Sequence, residues 1–321
     1  MYPYNSKGYL DNIRLQKGIT LVRSYFARLA SYRPVQAANI LNEPKLSFAT
    51  LYCLSPEIEK YSLANRLNMR NKTALEYLNA LRSRQKLDYT RLTEEALEWV
   101  FETGRHDDGL SNEFDGILDK TAAILTKVYR NKSALPSIVD IIFKRNKKGG
   151  FIYDLIWAFF EARNADSLML IADRLNSGNN KDAELAQKLL NFIPGINNIS
   201  NTDRASLYAH VAEWLTENCC FLQYTGETFN QISNPEPFSV CLEAKYMCIP
   251  VSNPDSIDGR TITGQESSRL REFKTLDKET KVMLSDFSYS LHRKDQQSWS
   301  VWISSPLSEQ IKAAKQEGGS I

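Results

Sequence analysis

Cysteine and histidine are the side chains with the widest range of chemistry, and their spacing decides what they could do. The sequence has five cysteines and three histidines. A structural zinc site needs four ligands that converge tetrahedrally, usually as two close pairs such as C-x2-C. The sequence has no such pair, and the side chains of adjacent Cys219 and Cys220 would diverge in a strand. We therefore expect no metal site and interpret the cysteines as buried free thiols.

Motifs for nucleophilic catalysis and for phosphate binding are also missing from the sequence. It contains no G-x-S-x-G, no H-E-x-x-H and no glycine-rich phosphate loop. His106 lies in the turn-like segment GRHDDG at 104–109, which lacks the alternating acidic positions of a calcium loop. We expect an exposed loop there, and the adjacent Asp107 and Asp108 do not indicate a shared cleft. The sequence favours a protein that is not an enzyme and has no cofactor.

A basic segment at 60–91 offers a different chemistry, contact with phosphates. It contains eight Lys or Arg and two acidic residues, a net charge of +6. Residues 61–87, with Ala64 at a tight helix crossing, resemble a helix-turn-helix of the winged-regulator kind. The resemblance implies that the second helix lies in a major groove. It places Asn71, Lys72, Thr73 and Asn79 nearest the bases, and Arg70, Arg82 and Arg84 near the phosphates.

The same segment has a second interpretation, as a helix pair of a larger helical body. Asn68 stands where the helix-turn-helix family usually has Gly, Glu76 lies on the exposed face of the second helix, and no clear wing hairpin follows Leu87. The next stretch, 93–119, carries nine acidic residues and one Arg, a net charge of −8. Neighbouring basic and acidic helix faces often neutralise each other. Both interpretations stay open at the level of sequence.

Helices would position these residues over the first two thirds of the chain. Apolar residues recur three or four apart from Ile13 to Leu29, which predicts a first helix. Ser55-Pro56 and Thr93, which precedes two Glu, are typical helix starts, and connections of a few residues predict nearly antiparallel neighbours. The helices predicted next lie at about 57–68, 73–85, 93–103 and 112–131.

A self-match at a lag of 30 residues organises the middle of the chain, where 135–163 aligns with 165–193. Each copy reads as a helix, a Gly/Asn turn and a second helix. A period of about 20 to 50 residues is typical of stacked helix pairs, although two amphipathic helix pairs can also align by chance. Residues 135–217 resemble HEAT- or armadillo-type repeats at the level of fold, and no function follows from that resemblance.

A change of pattern near residue 218 predicts a small β-containing module. Apolar and polar residues alternate over 238–248, which is the period of a half-buried strand. Residues 252–272 have no periodicity and read as a linker. The other features predicted for this part are hairpins at 221–232 and 283–303 and a frayed tail at 307–321.

Composition and charge limit the class of protein. The chain has 321 residues, of which 42% are hydrophobic and 24% charged, as in a globular protein, and its net charge of +2 predicts no bulk attraction to nucleic acid. The most apolar run, 138–160, is broken by charges and a Gly pair, so it cannot supply the roughly 20 apolar residues of a membrane span. The odd cysteine count and the lack of a secretory signal favour the cytoplasm.

These patterns predict a mainly α fold of stacked antiparallel helix pairs, with a helical-repeat-like body at 1–217 and a β-containing module at 218–306. We expect a non-enzymatic protein-protein interaction or scaffold protein whose helical surface binds a protein partner. The alternative is a nucleic-acid-binding regulator that uses residues 61–87, and a second alternative is a structural component of a larger assembly. A membrane partner is not expected, and the oligomeric state is left open.

Overall fold

The computed structural model describes residues 7–83, 93–200, 203–227, 235–253, 256–257 and 263–318. Helices that pack against each other dominate these residues, and short strands near the C-terminus pair into two-stranded antiparallel sheets. The predicted mainly α fold with a small β component is confirmed. The chain divides into two compact units, Met1–Ala162 and Arg163–Ile321. The change of pattern predicted near residue 218 therefore lies inside the second unit.

The described part of the first unit is built from helices that cover a shared apolar core. Neighbours in sequence pack together, as the first helix does with the second and the sixth with the seventh, and the seventh also packs against the ninth. Large rings fill the interior, including the fully buried Phe26, Phe48 and Phe114. The helices are α1 (Tyr9–Lys17), α2 (Ile19–Tyr32), α3 (Pro34–Leu41), α4 (Phe48–Lys60), α5 (Met69–Arg82), α6 (Glu94–Gly104), α7 (Asn112–Lys127), α8 (Leu135–Lys147) and α9 (Tyr153–Glu161).

Side-chain caps determine where several of these helices begin. Ser47, Thr93 and Ser111 each accept a hydrogen bond from the backbone N–H three residues further on. Such a cap satisfies one of the N–H groups that the first turn of a helix leaves without a partner. The starts predicted near residues 93 and 112 are therefore confirmed by α6 and α7.

The helix predicted at 57–68 is wrong, because Pro56 lies inside α4 and does not begin a helix. A proline has no N–H to donate to the carbonyl four residues earlier, which here belongs to Tyr52. The hydroxyl of Ser55 donates to that carbonyl instead, at 2.8 Å. Arg82 in turn donates to the Ser55 hydroxyl, at 2.9 Å. The Tyr52 carbonyl, to which Pro56 cannot donate, thus has a hydrogen-bond partner, and the helix continues to Lys60.

The start predicted at Thr73 is also displaced, because α5 begins four residues earlier. Asn68 accepts from the backbone N–H of Asn71 at 2.9 Å and so provides the cap, while Thr73 lies buried within the helix. The helix pair predicted at 57–87 is therefore α4 and α5, joined through a 3-10 turn at Ala64–Arg66. Residues 84–87 lie outside the described residues.

The second unit combines helices with the two small sheets. Strand β1 pairs with β2 and β3 pairs with β4, both antiparallel. The helices are α10 (Leu168–Ala172), α11 (Asn180–Leu189), α12 (Arg204–Asn218), α13 (Leu242–Tyr246), α14 (Gly264–Lys274), α15 (Lys278–Lys294), α16 (Gln296–Ser304) and α17 (Leu307–Gly318). The strands are β1 (Leu222–Tyr224), β2 (Phe238–Val240), β3 (Val251–Asn253) and β4 (Ser256–Ile257).

Both copies of the lag-30 self-match fold as a pair of helical segments. The first copy is α8 and α9, and the second is α10 with its flanking 3-10 turns, followed by α11. The copies fall in different units, the first before Ala162 and the second after Arg163. The resemblance to HEAT- or armadillo-type repeats stays a prediction.

The first predicted hairpin is correct in one strand. β1 lies where it was expected, but it pairs with β2, and the expected partner at 228–232 falls on residues outside the described ones. The strand predicted at 238–248 ends at Val240, where α13 follows. Ala244, Lys245 and Tyr246 are all buried. A half-buried strand cannot bury three consecutive side chains, because they alternate between its faces.

The second predicted hairpin, at 283–303, is wrong, because these residues belong to α15 and α16. Met283, Phe287 and Leu291, which suggested alternation, are spaced by four and lie on one side of a helix against the core. Two aspartates that the sequence analysis did not use, Asp277 and Asp295, cap the two helices.

The predicted linker, 252–272, contains both strand and helix where the structure describes it, because its first residues belong to β3 and β4. The end of the linker, 264–272, belongs to α14, which begins with a capping box between Thr263 and Glu266. The tail forms α17, whose Gln310 is fully buried and accepts from the Tyr246 hydroxyl at 2.7 Å. Gln310 also donates to the carbonyl of Ile303 at 3.1 Å. The described part of the predicted tail, 307–318, is therefore a helix that contributes to the core of the second unit and is not frayed.

Candidate functional site

The first three helices expose a concentration of large apolar side chains. Of the thirteen such side chains exposed among the described residues, seven lie on α1–α3, and Tyr32 is the most exposed of them at 80%. Contiguous exposed apolar surface on a folded protein usually marks a binding site. We term the seven residues the α1–α3 face. They are Tyr9, Leu15, Ile19, Leu21, Tyr25, Tyr32 and Val35.

Helix α2 is apolar on two sides, and only one of them is covered. The covered side consists of Val22, Phe26 and Ala30, which are spaced by four and buried. The exposed side consists of Leu21, Tyr25, Arg28 and Tyr32, whose spacings of four, three and four also keep them on one side of a helix. An ordinary surface helix is apolar on the core side alone. The second apolar side is therefore surplus to what the fold of the first unit needs.

Contacts between α1 and α2 fix two of the exposed rings. Tyr9 and Tyr25 meet edge to face with ring centroids 5.8 Å apart. A hydrogen bond with Tyr9, together with partial burial, raises the pKa of Tyr25. The backbone N–H of Tyr9 also donates to Glu43 at 3.4 Å. Rings held in this way lose little conformational freedom when a partner covers them.

The exposed charges around the α1–α3 face are positive. From Asn12 to Asn42 the sequence has five Lys or Arg and no acidic residue. Two of the five are paired, because Arg14 is buried against Asp107 and Arg23 contacts Glu57 at 2.8 Å. The exposed cations are Lys17, Arg28 and Arg33, with Lys7 just before α1.

A buried hydrogen-bond network anchors α1 to the rest of the first unit. Arg14 donates to both carboxylate oxygens of Asp107, at 2.8 and 2.9 Å, and to the hydroxyl of Thr50 at 2.8 Å. Asp11 accepts from the backbone N–H of Ser47 at 3.0 Å and from the hydroxyls of Ser47 and Thr50. Charge-assisted, bidentate bonds of this kind fix geometry strongly. The network therefore sets the position of α1 against the start of α4.

A second ionic cluster involves Asp108, the residue that follows Asp107 of the first network. Asp108 accepts from Arg145 of α8 at 2.7 Å, and Arg145 also contacts Asp119 of α7 at 2.9 Å. Burial raises the pKa of Asp119 to about 6, although Arg145 acts in the opposite direction. The segment at 104–109, predicted to be an exposed loop, thus directs two adjacent carboxylates to arginines of different helices, while His106 before them and Gly109 after them are exposed.

Three residues of the predicted nucleic-acid contact are held within the first unit. The guanidinium of Arg70 donates to the backbone carbonyls of Glu43 and Pro44 at 3.1 and 3.2 Å and lies 4.3 Å from the ring of Trp99. Asn71 is fully buried and donates to the carbonyl of Leu41 at 2.7 Å. Thr73 is buried as well.

The other four predicted contact residues differ in their surroundings. Arg82 pairs with Glu113 at 2.8 Å, a residue of the acidic stretch at 93–119, as the second interpretation of this segment expects. Lys72 and Asn79 are exposed on α5. Arg84 lies outside the described residues. Contact of this segment with nucleic acid stays a prediction.

The five cysteines form no disulfide. The prediction of buried thiols is correct for Cys53 and wrong for Cys220, which is exposed, and the other three cysteines are half-buried. Burial together with a hydrogen bond to Asp166 raises the pKa of the Cys219 thiol to about 12. Within the described ranges, no group of three or more His, Cys, Asp or Glu is placed to hold a metal ion. No helix of the described residues is long and apolar enough to cross a membrane.

The α1–α3 face was not predicted from the sequence, although two signals for it were present. One is the absence of acidic residues between Asn12 and Asn42. The other is that α2 carries apolar residues on two sides, whereas a surface helix needs one apolar side for its contact with the core. Comparison with known proteins adds no further information about this face. The chain matches no protein-family model, no curated protein and no solved structure.

Proposed function

We propose that this protein is a non-enzymatic interaction protein that binds a protein partner on the α1–α3 face. The observation that carries the proposal is the second apolar side of α2, which is exposed beside a fully buried one. Leaving large apolar side chains in water is unfavourable by roughly 25 cal/mol per Å² of surface. A partner that covers Leu21, Tyr25 and Tyr32 would recover that free energy.

The composition of the face supports a protein partner over other macromolecules. Tyr and Arg are enriched among the residues that dominate the energetics of protein interfaces. Three tyrosines and Arg28 lie on or within the α1–α3 face. Nucleic acid would use the rings and the cations but would gain little from exposed aliphatic side chains such as Leu21 and Val35. The absence of disulfides is in keeping with a reducing compartment such as the cytoplasm.

The test compares substitutions on the face with a matched one outside it. Leu21 and Met69 are both exposed aliphatic residues on helices of the first unit, at 53% and 74% exposure. The tagged full chain is purified from its own cells with and without nuclease, and a stoichiometric partner is identified and purified. We expect Leu21→Asp and Tyr32→Ala each to weaken binding at least about tenfold, as loss of an interface anchor does. Met69→Asp should leave the affinity unchanged.

Two results would contradict this proposal. One is equal affinity of all three variants and the unsubstituted chain for the purified partner. The other is that nothing but nucleic acid copurifies, and that it is lost after nuclease treatment. Circular dichroism of each variant confirms that the helices are intact, so a loss of binding can be assigned to the face.

A further inference from the structure

We infer that the segment bound at the α1–α3 face is an acidic amphipathic α-helix of the partner, lying along α2. The inference rests on the proposed function and names the chemistry of the partner. Lys17, Arg28 and Arg33 are exposed around the exposed apolar side of α2, and no acidic residue occurs between Asn12 and Asn42. Electrostatic complementarity suppresses wrong partners and speeds encounter with the right one. Because α2 carries no acidic residue and Arg28 and Arg33 lie beside its exposed apolar side chains, this part of the face selects carboxylates.

The shape of the apolar surface indicates a helix as the bound element. Helix α2 exposes one line of side chains from Leu21 through Tyr25 and Arg28 to Tyr32, over eleven residue steps, which span roughly 16 Å at 1.5 Å per residue. Two helices packed side by side contact each other through such lines of side chains. A helix laid along a helical surface is a recurring mode of peptide recognition, with anchors at spacings of three and four.

Arg28 distinguishes a protein partner from an anionic membrane. It lies between Tyr25 and Tyr32 in the middle of the exposed apolar side of α2. In a bilayer this guanidinium would be drawn toward the acyl chains along with its neighbours, at an energetic cost. Against a helix that carries Glu or Asp it forms a bidentate bond in a partly desolvated site, which is favourable.

A second copy of the chain is a poor occupant of the same face. A symmetric dimer brings each surface patch against its own copy. Arg28 and Arg33 would then meet a patch that carries the same exposed cations and no acidic residue of α2, and like charges at an interface are costly. Charge thus favours a different, acidic chain.

The experiment identifies the bound segment directly. The photo-crosslinking amino acid p-benzoyl-phenylalanine replaces Tyr32 in the full chain, and in a control chain it replaces the exposed Met69. The crosslinked peptide is sequenced, and the corresponding segment is synthesised together with a version in which each Glu or Asp becomes Lys. We expect the segment to carry an excess of acidic residues and apolar residues three and four apart, and the synthetic version to bind as a helix.

Charge reversal on the face tests the same inference from the other side. Arg28→Glu and Arg33→Glu together should weaken binding of the acidic peptide by about tenfold or more, and added salt should weaken binding to the unsubstituted chain. The matched control is Lys72→Glu, which reverses an exposed charge of α5 that is not part of the face. It should leave the affinity unchanged, and the Lys-substituted peptide should not bind.

The outcomes separate this inference from the function on which it rests. A neutral, basic or non-helical segment crosslinked at position 32 would overturn the inference, while loss of binding in Leu21→Asp would still support protein docking. Crosslinking of the chain to itself, or tighter binding to phosphatidylserine vesicles or single-stranded DNA than to the peptide, would overturn it as well. Crosslinking at Met69 but not at position 32 would overturn both.

Discussion

Two ionic clusters bring four carboxylates and two guanidinium groups into the interior of the first unit. The carboxylates belong to Asp11, Asp107, Asp108 and Asp119, and the guanidinium groups to Arg14 and Arg145. Taking an ion out of water costs several kcal/mol unless partners replace the lost solvation. With more carboxylates than guanidinium groups, one carboxyl is expected to keep its proton to a higher pH. Asp119 is that residue, since burial raises its pKa to about 6.

The raised pKa of Asp119 predicts a pH dependence of stability with a definite sign. Between about pH 4 and pH 6 the folded protein keeps a proton on Asp119 that the unfolded chain releases, so the free energy of unfolding falls as the pH rises through this window. Asn at this position cannot titrate. We expect the stability advantage of the unsubstituted chain over Asp119→Asn to shrink by about 2 kcal/mol between pH 4.5 and 7.5.

Hydrogen exchange of the amides in α7 and α8 measures this difference locally, once intrinsic exchange rates are corrected for pH. The groups that face Asp119 are Arg145, Asp108 and Asp154, and Lys144 contacts Asp108 at 3.8 Å. A difference between the two proteins that is constant from pH 4.5 to 7.5 would show that Asp119 is ionised throughout this range in the folded state.

At the scale of elements, two glycines near the contact between α6 and α7 predict opposite effects of the same substitution. A Cβ at Gly104 would lie 2.6 Å from Cδ2 of Leu118, which is fully buried and has little room to move. We expect Gly104→Ala to destabilise the protein by about 1–3 kcal/mol, as overpacking does. A Cβ at Gly116 of α7 meets nothing within 4 Å, so Gly116→Ala should stabilise it by about 0.5–1 kcal/mol.

Thermal unfolding of the two variants and the unsubstituted chain checks this pair. The expected order of midpoints is Gly116→Ala highest, the unsubstituted chain next and Gly104→Ala lowest. A midpoint for Gly104→Ala at or above that of the unsubstituted chain would mean that Leu118 can rotate away at no cost and that α6 does not need glycine for its approach to α7.

Helices were predictable from the sequence where a cap and a hydrophobic period agreed, and they were misplaced where two local signals competed. Thr93 and the periodicity after it located α6, whereas Ser55-Pro56 suggested a start that the Ser55 hydroxyl overrides by bonding to Tyr52. Over 283–291 the apolar residues are spaced by four, which keeps them on one side of a helix. Because four is an even number, the same spacing also keeps them on one face of a strand, so the pattern fits both structures. The caps at Asp277 and Asp295 would have decided between them.

At the scale of the whole molecule, the division after Ala162 gives a test of where binding lies. The α1–α3 face and both buried ionic clusters fall before this point. We expect the fragment 1–162 to unfold cooperatively and to bind the purified partner within about threefold of the full chain, since a domain with its own core usually folds alone. The fragment 163–321 should not bind.

Calorimetry of the fragment and titration with the partner measure the two properties separately. A folded fragment that fails to bind would place essential contacts in residues 163–321. An unfolded fragment would mean that the first unit depends on the second for its stability, and the binding test would then use the Leu21→Asp variant of the full chain.

The sequence led to the prediction of a protein-binding surface, which stays a proposal, but the position of the α1–α3 face could not be predicted. A helical body without catalytic motifs indicated protein binding. The basic segment at 60–91 indicated contact with nucleic acid, because net charge can be counted directly from the sequence. Burial is not visible in this way: Asn71 and Thr73 are inside, whereas Leu21 and Tyr32 are outside. Which of two apolar sides of α2 is covered depends on α1, α3 and α4, and no local rule supplies that information.

The adjacency of Asp107 and Asp108 has a consequence for how the length of this segment can vary in evolution. Most surface turns tolerate an inserted or deleted residue, because closing a slightly longer loop costs little. Here one carboxylate meets Arg14 of α1 and the next meets Arg145 of α8. An insertion or deletion of one residue would move both carboxylates out of register at once. Homologous chains are therefore expected to vary in the residue types of this turn at His106 but to keep its length.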